Sequence, residues 1–288
     1  MKNLKTLLIG LLISLSPLSA EDDVLKKINN LKYQTGKVTI GDKLATVNVP
    51  KGFKFLDAKQ SQFVLHDVWG NPLNEGILGM LFKTDQSPIS DNFTYAITYA
   101  FSEDGYVSDS DANEINYDDL LKSMKEDISE GNEDRKKEGY PTLELVGWAN
   151  KPFYDANTKK LHWAKEIKFE GDEVNTLNYN IRILGRKGIL ELNAISDIQK
   201  LNLVQKDIPA IIASTEFNDG EKYSDYSPGI DKLAAYGIGG LIAGKVLAKA
   251  GFFALLLKFW KVIAIGAVAA LGVLKKLFTK KADNSSVD

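Results

Sequence analysis

The stretch Leu177-Asn178-Tyr179-Asn180-Ile181-Arg182-Ile183-Leu184-Gly185-Arg186-Lys187-Gly188-Ile189-Leu190-Glu191-Leu192-Asn193-Ala194-Ile195 decides the fold class. Tyr179, Ile181 and Ile183 alternate with polar residues, the period-two pattern of a strand. Ile189 to Ile195 reads as a second strand. The glycines bracketing Arg186-Lys187 read as a hairpin turn, since glycine tolerates positive φ. A link that short joins antiparallel neighbours.

Working outward, Phe93, Tyr95, Ile97, Tyr99 and Phe101 alternate with small or polar residues and give a strand with one aromatic face. Leu161, Trp163, Ile167 and Phe169 share one face of another, with His162, Ala164, Glu166 and Lys168 on the other. Strands near Val38 to Val49 and Leu143 to Ala149 complete a mainly antiparallel sheet. Tyr117, Leu120, Leu121, Met124 and Ile128 have helical spacing, with Asn116 as N-cap and Gly131 as the stop. Ser196 is read as the cap of a second helix striped by Ile198, Leu201 and Val204, which Pro209 kinks or restarts before Ile211 and Ile212. Both stripes read as core contacts. The expectation is an α+β domain, a sheet covered by helices, over residues 21–230.

Both ends differ from this middle. Lys2 and Lys5, the apolar Leu7 to Leu15 and the small-residue site Ser16-Pro17-Leu18-Ser19-Ala20 have the three parts of a secretory signal, residues 1–20. The mature chain is then expected to begin near Glu21, outside the cytoplasm. From Leu233 to Leu274 nearly every residue is apolar or small, apart from Lys245, Lys249, Lys258 and Lys261. A central lysine costs roughly 2.5 to 3.5 kcal/mol for insertion and each large aliphatic returns only about 0.3 to 0.6. A span centred on Lys258 and Lys261 therefore roughly breaks even.

Starting the span at Lys258 removes that cost. The helix expected over residues 258–276 rises roughly 26 Å from Lys258 to Lys275, near the hydrocarbon thickness. Lys258, Trp260 and Lys261 then lie at one interface, and Lys275 and Lys276 mark the other. Positive charge favours the inside, so residues 277–288 form a cytoplasmic tail and the large domain lies outside the cytoplasmic membrane, in the periplasm. Residues 231–257 read as an interfacial or partly embedded helix, with a two-span hairpin as the alternative. Within them Gly240, Gly244 and Ala248 recur every four residues, a spacing that lets membrane helices pack closely and allows a homo-oligomer. Glycines are also simply common in such helices.

The formal charge of -2 hides a split. Residues 21–230 hold 25 basic and 35 acidic side chains, whereas the C-terminal region is lysine-rich. An acidic domain is repelled by anionic headgroups and a basic anchor is attracted to them. No basic excess calls for nucleic acid. The absence of cysteine excludes thiol catalysis and thiolate metal sites.

Chemistry-bearing patterns are few. Asp109-Ser110-Asp111-Ala112-Asn113 begins like a calcium loop, but Glu114 and Leu120 stand where glycine and a bidentate glutamate belong. A turn feeding a helix is the simpler reading, with Asp118 and Asp119 at its positive end. The two histidines, His66 and His162, have no partner pattern. No nucleophile elbow, His-Glu-x-x-His helix or phosphate loop occurs. The run Asn132 to Glu138 reads as a solvated loop or helix end. Trp148 and Trp163 lie in strand-like segments and Trp69 precedes a Gly70-Asn71-Pro72 turn. No catalytic residue, metal or cofactor is assigned. Asp109, Asp111, Trp148, His162, Arg182 and Arg186 are the candidate binding residues.

Several separated runs carry a family resemblance: Gly105 to Ala112, Gly147-Trp148-Ala149 with Pro152 and Tyr154-Asp155, Leu161 to Lys165, Leu177 to Gly188, and Asp231 to Gly237. Together they resemble the bacterial membrane-anchored proteins of the domain-of-unknown-function family numbered 2167. The resemblance implies a bacterial membrane location and a shared architecture, and brings no reaction, cofactor or catalytic residue. The C-terminal half is also similar in layout to PsbP-like domains, an antiparallel sheet sandwiched by helices. A non-enzymatic module binding an envelope protein or component is the leading expectation. The alternatives are a tethered hydrolase or transferase using Asp109, Asp111 and His162, and a membrane-assembly subunit built on Gly240 and Gly244.

Overall fold

The structure is a computed structural model that describes residues 18–71, 73–137 and 141–244. In chain order the elements are α1 (Leu18–Asn29), β1 (Lys37–Ile40), β2 (Ala45–Asn48), β3 (Phe53–Asp57), α2 (Ala58–Phe63), β4 (Ile77–Lys83), β5 (Ala96–Ser102) and β6 (Tyr106–Ser108). There follow α3 (Tyr117–Lys137), β7 (Leu143–Asp155), β8 (Lys160–Phe169), β9 (Thr176–Leu184), β10 (Ile189–Asp197), α4 (Leu201–Ala213), β11 (Thr215–Phe217), β12 (Leu233–Gly237) and α5 (Ile238–Ala243). Helix α1 belongs to a separate unit of residues 1–31 and runs across the Ala20-Glu21 junction. All other elements belong to the second unit.

Seven strands form one sheet in the order β3-β4-β5-β10-β9-β8-β7, every neighbouring pair antiparallel. The quoted hairpin is its centre: Ile189 pairs with Leu184, and the Gly185 amide donates to the Gly188 carbonyl at 2.8 Å. Neither glycine has positive φ. They are there for space instead, because a Cβ at Gly188 would stand 2.0 Å from the Ser102 carbonyl oxygen and one at Gly185 2.5 Å from the Phe217 ring.

One face of this sheet is apolar over its centre. Tyr99, Tyr179, Ile181 and Leu192 pack against Val204, Ile208 and Ile211 of α4 and against the small sheet β1-β2-β11. Each such fully buried side chain contributes about 1.5 to 3 kcal/mol. Helix α4 runs through Pro209 without a restart. Ser196 does not cap it: β10 continues to Asp197, whose carboxylate accepts from the Gln199 amide, and the Ser196 hydroxyl donates to the Thr94 carbonyl.

The other face is covered at its two ends. Helix α2 lies on β4 and leads through a π-helical turn (Val64–Val68) to Trp69, which packs edge-on to Phe93 at 5.5 Å. Helix α3 lies on β7, capped by Asn116 as expected, with the Asp118 amide 3.0 Å from its side-chain oxygen. It passes Gly131 without stopping. Asn132 exchanges two 2.9 Å bonds with the Leu143 backbone, and Arg135 is buried with its Nε donating to the Pro141 carbonyl. What composition marks as a solvated charge run is in part a fastening.

The domain also extends past residue 230. Strand β12 runs parallel to β6, and Ile238, Leu241 and Ile242 of α5 join Leu161, Trp163 and Leu184 in one cluster. The interfacial helix expected over residues 231–257 therefore begins as a strand and a core helix, because apolar residues mark burial in protein as well as in lipid. Gly240 lies within α5, but Gly244 ends it at φ 74°, so the two do not share a helix face. Ala248, Lys258, Trp260, Lys261, Lys275 and Lys276, with the 258–276 span, lie outside the described residues, as do residues 1–17. Among the described residues no helix is long and apolar enough to cross a membrane.

Candidate functional site

The antiparallel register fixes which side chains share the second face, since directly opposed residues point the same way. Asn178 of β9 pairs with Lys165 of β8, Asn180 with Trp163, and Arg182 with Leu161. On the other flank Asn180 opposes Asn193 of β10 and Arg182 opposes Glu191. Thr98 of β5 continues the line beside Asn193. A polar strip thus crosses the sheet between the parts covered by α2 and α3. A sheet with helices on a face normally buries apolar side chains there. Polar groups in that position need partners.

Arg182 has them. It is 9% exposed and donates to the Ile181 carbonyl at 2.9 Å and to Asn193 Oδ1 at 2.9 Å. Glu191 lies 3.4 Å from its Nη2, and its guanidinium lies over the Trp163 ring, 5.3 Å from the centroid. The strip ends near Tyr236 of β12, whose hydroxyl donates to Asp104 at 2.6 Å. Burial, the bonded Asp104 and the Glu191 charge raise the tyrosine's pKa against the opposing pull of Arg182, which keeps it neutral.

Lys165 has no hydrogen bond or ion pair among the described residues. Lys165 is half-buried, and partial desolvation with the neighbouring Arg182 charge pushes its pKa down, to about 8. Trp163 Nε1 is buried, two residues along the same face of β8, with no acceptor among the described residues. Asn178 accepts from Asn180 through Oδ1. The arrangement presents donors.

The candidates read from sequence scatter around this strip. Asp109 accepts from Tyr154 at 2.7 Å, Lys159 at 2.7 Å and Tyr223 at 3.1 Å. Burial opposes its charge, but these bonds and the Lys159 ammonium outweigh it and hold the carboxyl below its usual range. Asp111 receives the amides of Ile238 and Gly239 at 2.9 and 3.0 Å and so caps α5. Both carboxylates are engaged by the protein, and among the described residues no three His, Asp or Glu side chains converge as a metal site.

The others are framework as well. Trp148 donates to the Tyr117 carbonyl at 3.2 Å and packs between β7 and α3. Arg186 Nε bonds Asp231 at 2.8 Å and latches the hairpin to the approach to β12. His162 lies on the opposite sheet face, 3.0 Å from the Tyr179 hydroxyl, and burial lowers its pKa. The Asp109, Asp111 and His162 set does not assemble. Of the six candidates only Arg182 lies on the strip. Lys165, Trp163 and Asn178 were not read as its partners, although the alternation of Asn178, Asn180 and Arg182 on a strand covered on both faces was the available signal.

The family described as "Protein of unknown function (DUF2167)" matches residues 32–272. The chain belongs to this family. The runs at Gly147-Trp148-Ala149 and Leu177 to Gly188 are thus a true family likeness, and they now have places: the first lies beside Lys165 and the second builds the strip. No curated protein matches the chain significantly. Among solved structures it is similar to the cyanobacterial PsbP of Synechocystis at 9% identity, covering 65% of this chain and 94% of that one with a TM-score of 0.37. The Ran-binding protein Mog1p of Saccharomyces cerevisiae matches at 9% identity over 68% of this chain and all of that one (100%), TM-score 0.34. LpqN of Mycobacterium tuberculosis, involved in cell envelope biogenesis, matches at 12% identity over 67% and 96%, TM-score 0.33. None of these similarities bears on activity.

Proposed function

We propose that this member of the family is a binding module of the bacterial envelope, exported and held at the cytoplasmic membrane by its C-terminal region, with the polar strip as its recognition face. One observation carries the reading. Among the described residues, the middle of a sheet built to be covered holds the buried Trp163 donor without an acceptor and the half-buried Lys165 charge without a counter-ion, an arrangement that costs stability and is kept at sites that bind. The secretory pattern at residues 1–20, the lysine-flanked span at 258–276 and the acidic domain support the placement outside the membrane. Tyr236 and α5 beside the strip lead directly in the chain to the tether.

A photo-cross-linking residue at Asn178, compared with one at the exposed Lys125 of α3, tests the reading in native membranes. Adducts from position 178 alone are expected. The same products from both positions, or none from 178, contradict it. For the topology, a reporter that is active only in the cytoplasm should be active when fused after Asp288, and activity of an exterior reporter there would require the two-span hairpin.

A further inference from the structure

Resting on the strip being a binding face, we infer that Lys165, Trp163 and Asn178 form a subsite for an oxyanion, a phosphate or carboxylate group. The side chains adjoin by construction: Trp163 and Lys165 stand two residues apart on β8, and Asn178 is the β9 partner of Lys165. All three have hydrogen to donate. Trp163 Nε1 is buried without an acceptor among the described residues, and the half-buried Lys165 makes no hydrogen bond or ion pair there. Asn178 spends its oxygen on Asn180, which leaves its amide nitrogen as a third donor without an acceptor there. Charge points the same way. Arg182 is met by Glu191 at 3.4 Å, so the Lys165 charge is the local excess.

A ligand oxygen carrying negative charge satisfies donors and charge together, whereas a cationic or apolar ligand satisfies neither. Trp148, the β7 partner of Lys165, and the buried Trp163 ring set apolar surface beside the subsite, which strengthens such bonds by lowering the local dielectric. Arg182 acts as a positioning residue, holding the Trp163 ring from above at 5.3 Å.

The test uses the full chain labelled with 5-fluorotryptophan in a neutral detergent, with fluorine spectra recorded during titration with inorganic phosphate, acetate or glucose. The Trp163 signal, assigned by Trp163→Phe, should move saturably with phosphate or acetate while the Trp69 signal stays in place. Lys165→Met should weaken the response by about tenfold or more and Lys165→Arg should retain it, as expected for one charge-assisted bond. Near-ultraviolet circular dichroism checks that both variants keep their packing. Bicelles containing phosphatidylglycerol distinguish the sources: a response at much lower phosphate concentration identifies a lipid headgroup, and a response to the free ion alone a soluble ligand. A Trp163 signal that ignores both anions, or moves equally in Lys165→Met, overturns the inference. Movement with glucose but with neither anion overturns the oxyanion and leaves the binding face standing.

Discussion

Lys165 shows at the scale of one residue what the strip costs. Its folded pKa near 8 lies below the ordinary lysine value of 10.5, so the folded state disfavours the charged form. That penalty is fully present below pH 8 and is relieved between about pH 8 and 10.5, where the unfolded chain still holds the proton and the folded chain has lost it. The Lys165 contribution to stability should therefore rise over that window, against the raised tyrosines, whose contribution falls toward its upper end. The flanking Trp148, Trp163 and Asn178 carry no ionisable group. Lys54 and Lys160 also have lowered values caused mainly by burial, so the difference between wild type and Lys165→Met is the quantity to read. The variant should be more stable by about 2 kcal/mol at pH 7, and the gain should vanish toward pH 10.5. Urea unfolding at several pH values measures it, and a variant less stable at pH 7 would show that Lys165 is satisfied in the fold. The sequence gives no sign of this residue's state, because a lysine on a strand is ordinarily solvated. Only the register places it among tryptophans.

At the scale of elements, the alternation in β5, β8, β9 and β10 and the Asn116 cap of α3 were legible because one physical cause, a face or a cap, decides each. The hairpin was read correctly for the wrong reason. Its glycines serve close approach, and Gly188→Ala should destabilise by about 3 kcal/mol through overpacking against the Ser102 backbone. Gly147 in β7 is the control, since a Cβ there meets nothing within 4 Å and its φ is not positive. Gly147→Ala should be neutral or stabilise by up to about 1 kcal/mol. Denaturation midpoints separate the two, and equal effects would remove the close-approach account.

Asp111 shows what stayed hidden. In sequence it belongs to a calcium-like run, yet its partners lie 127 and 128 residues away at the start of α5. Local pattern has no access to a cap made across the fold. Asp111→Ala should cost about 1 to 2 kcal/mol and speed hydrogen exchange at Ile238 and Gly239. Unchanged exchange there would mean that α5 is held by packing alone.

For the whole molecule, the decisive misreading of hydropathy concerns where the domain ends. Asp231 anchors Arg186, β12 pairs with β6, and Ile238, Leu241 and Ile242 are 0%, 8% and 1% exposed. Removing those three side chains forfeits roughly 5 to 9 kcal/mol, a sum comparable to the total stability of a domain. A chain ending at Ile230 should therefore fail to unfold cooperatively, whereas one ending at Gly244 should retain its transition. Cooperative unfolding of the shorter chain would restore the boundary at residue 230. The acidic middle and the apolar residues just past 230 thus meet inside the fold, where Ile238, Leu241 and Ile242 of α5 pack with Leu161, Trp163 and Leu184. The central claim, that the strip is occupied at work, is tested most directly by trace acylation of amines at pH 7.5, with Lys165 compared against Lys125 in native membranes and in the purified full chain. The account predicts that Lys165 is protected in membranes and becomes reactive on purification while Lys125 does not change. Equal labelling of Lys165 in both preparations would contradict it.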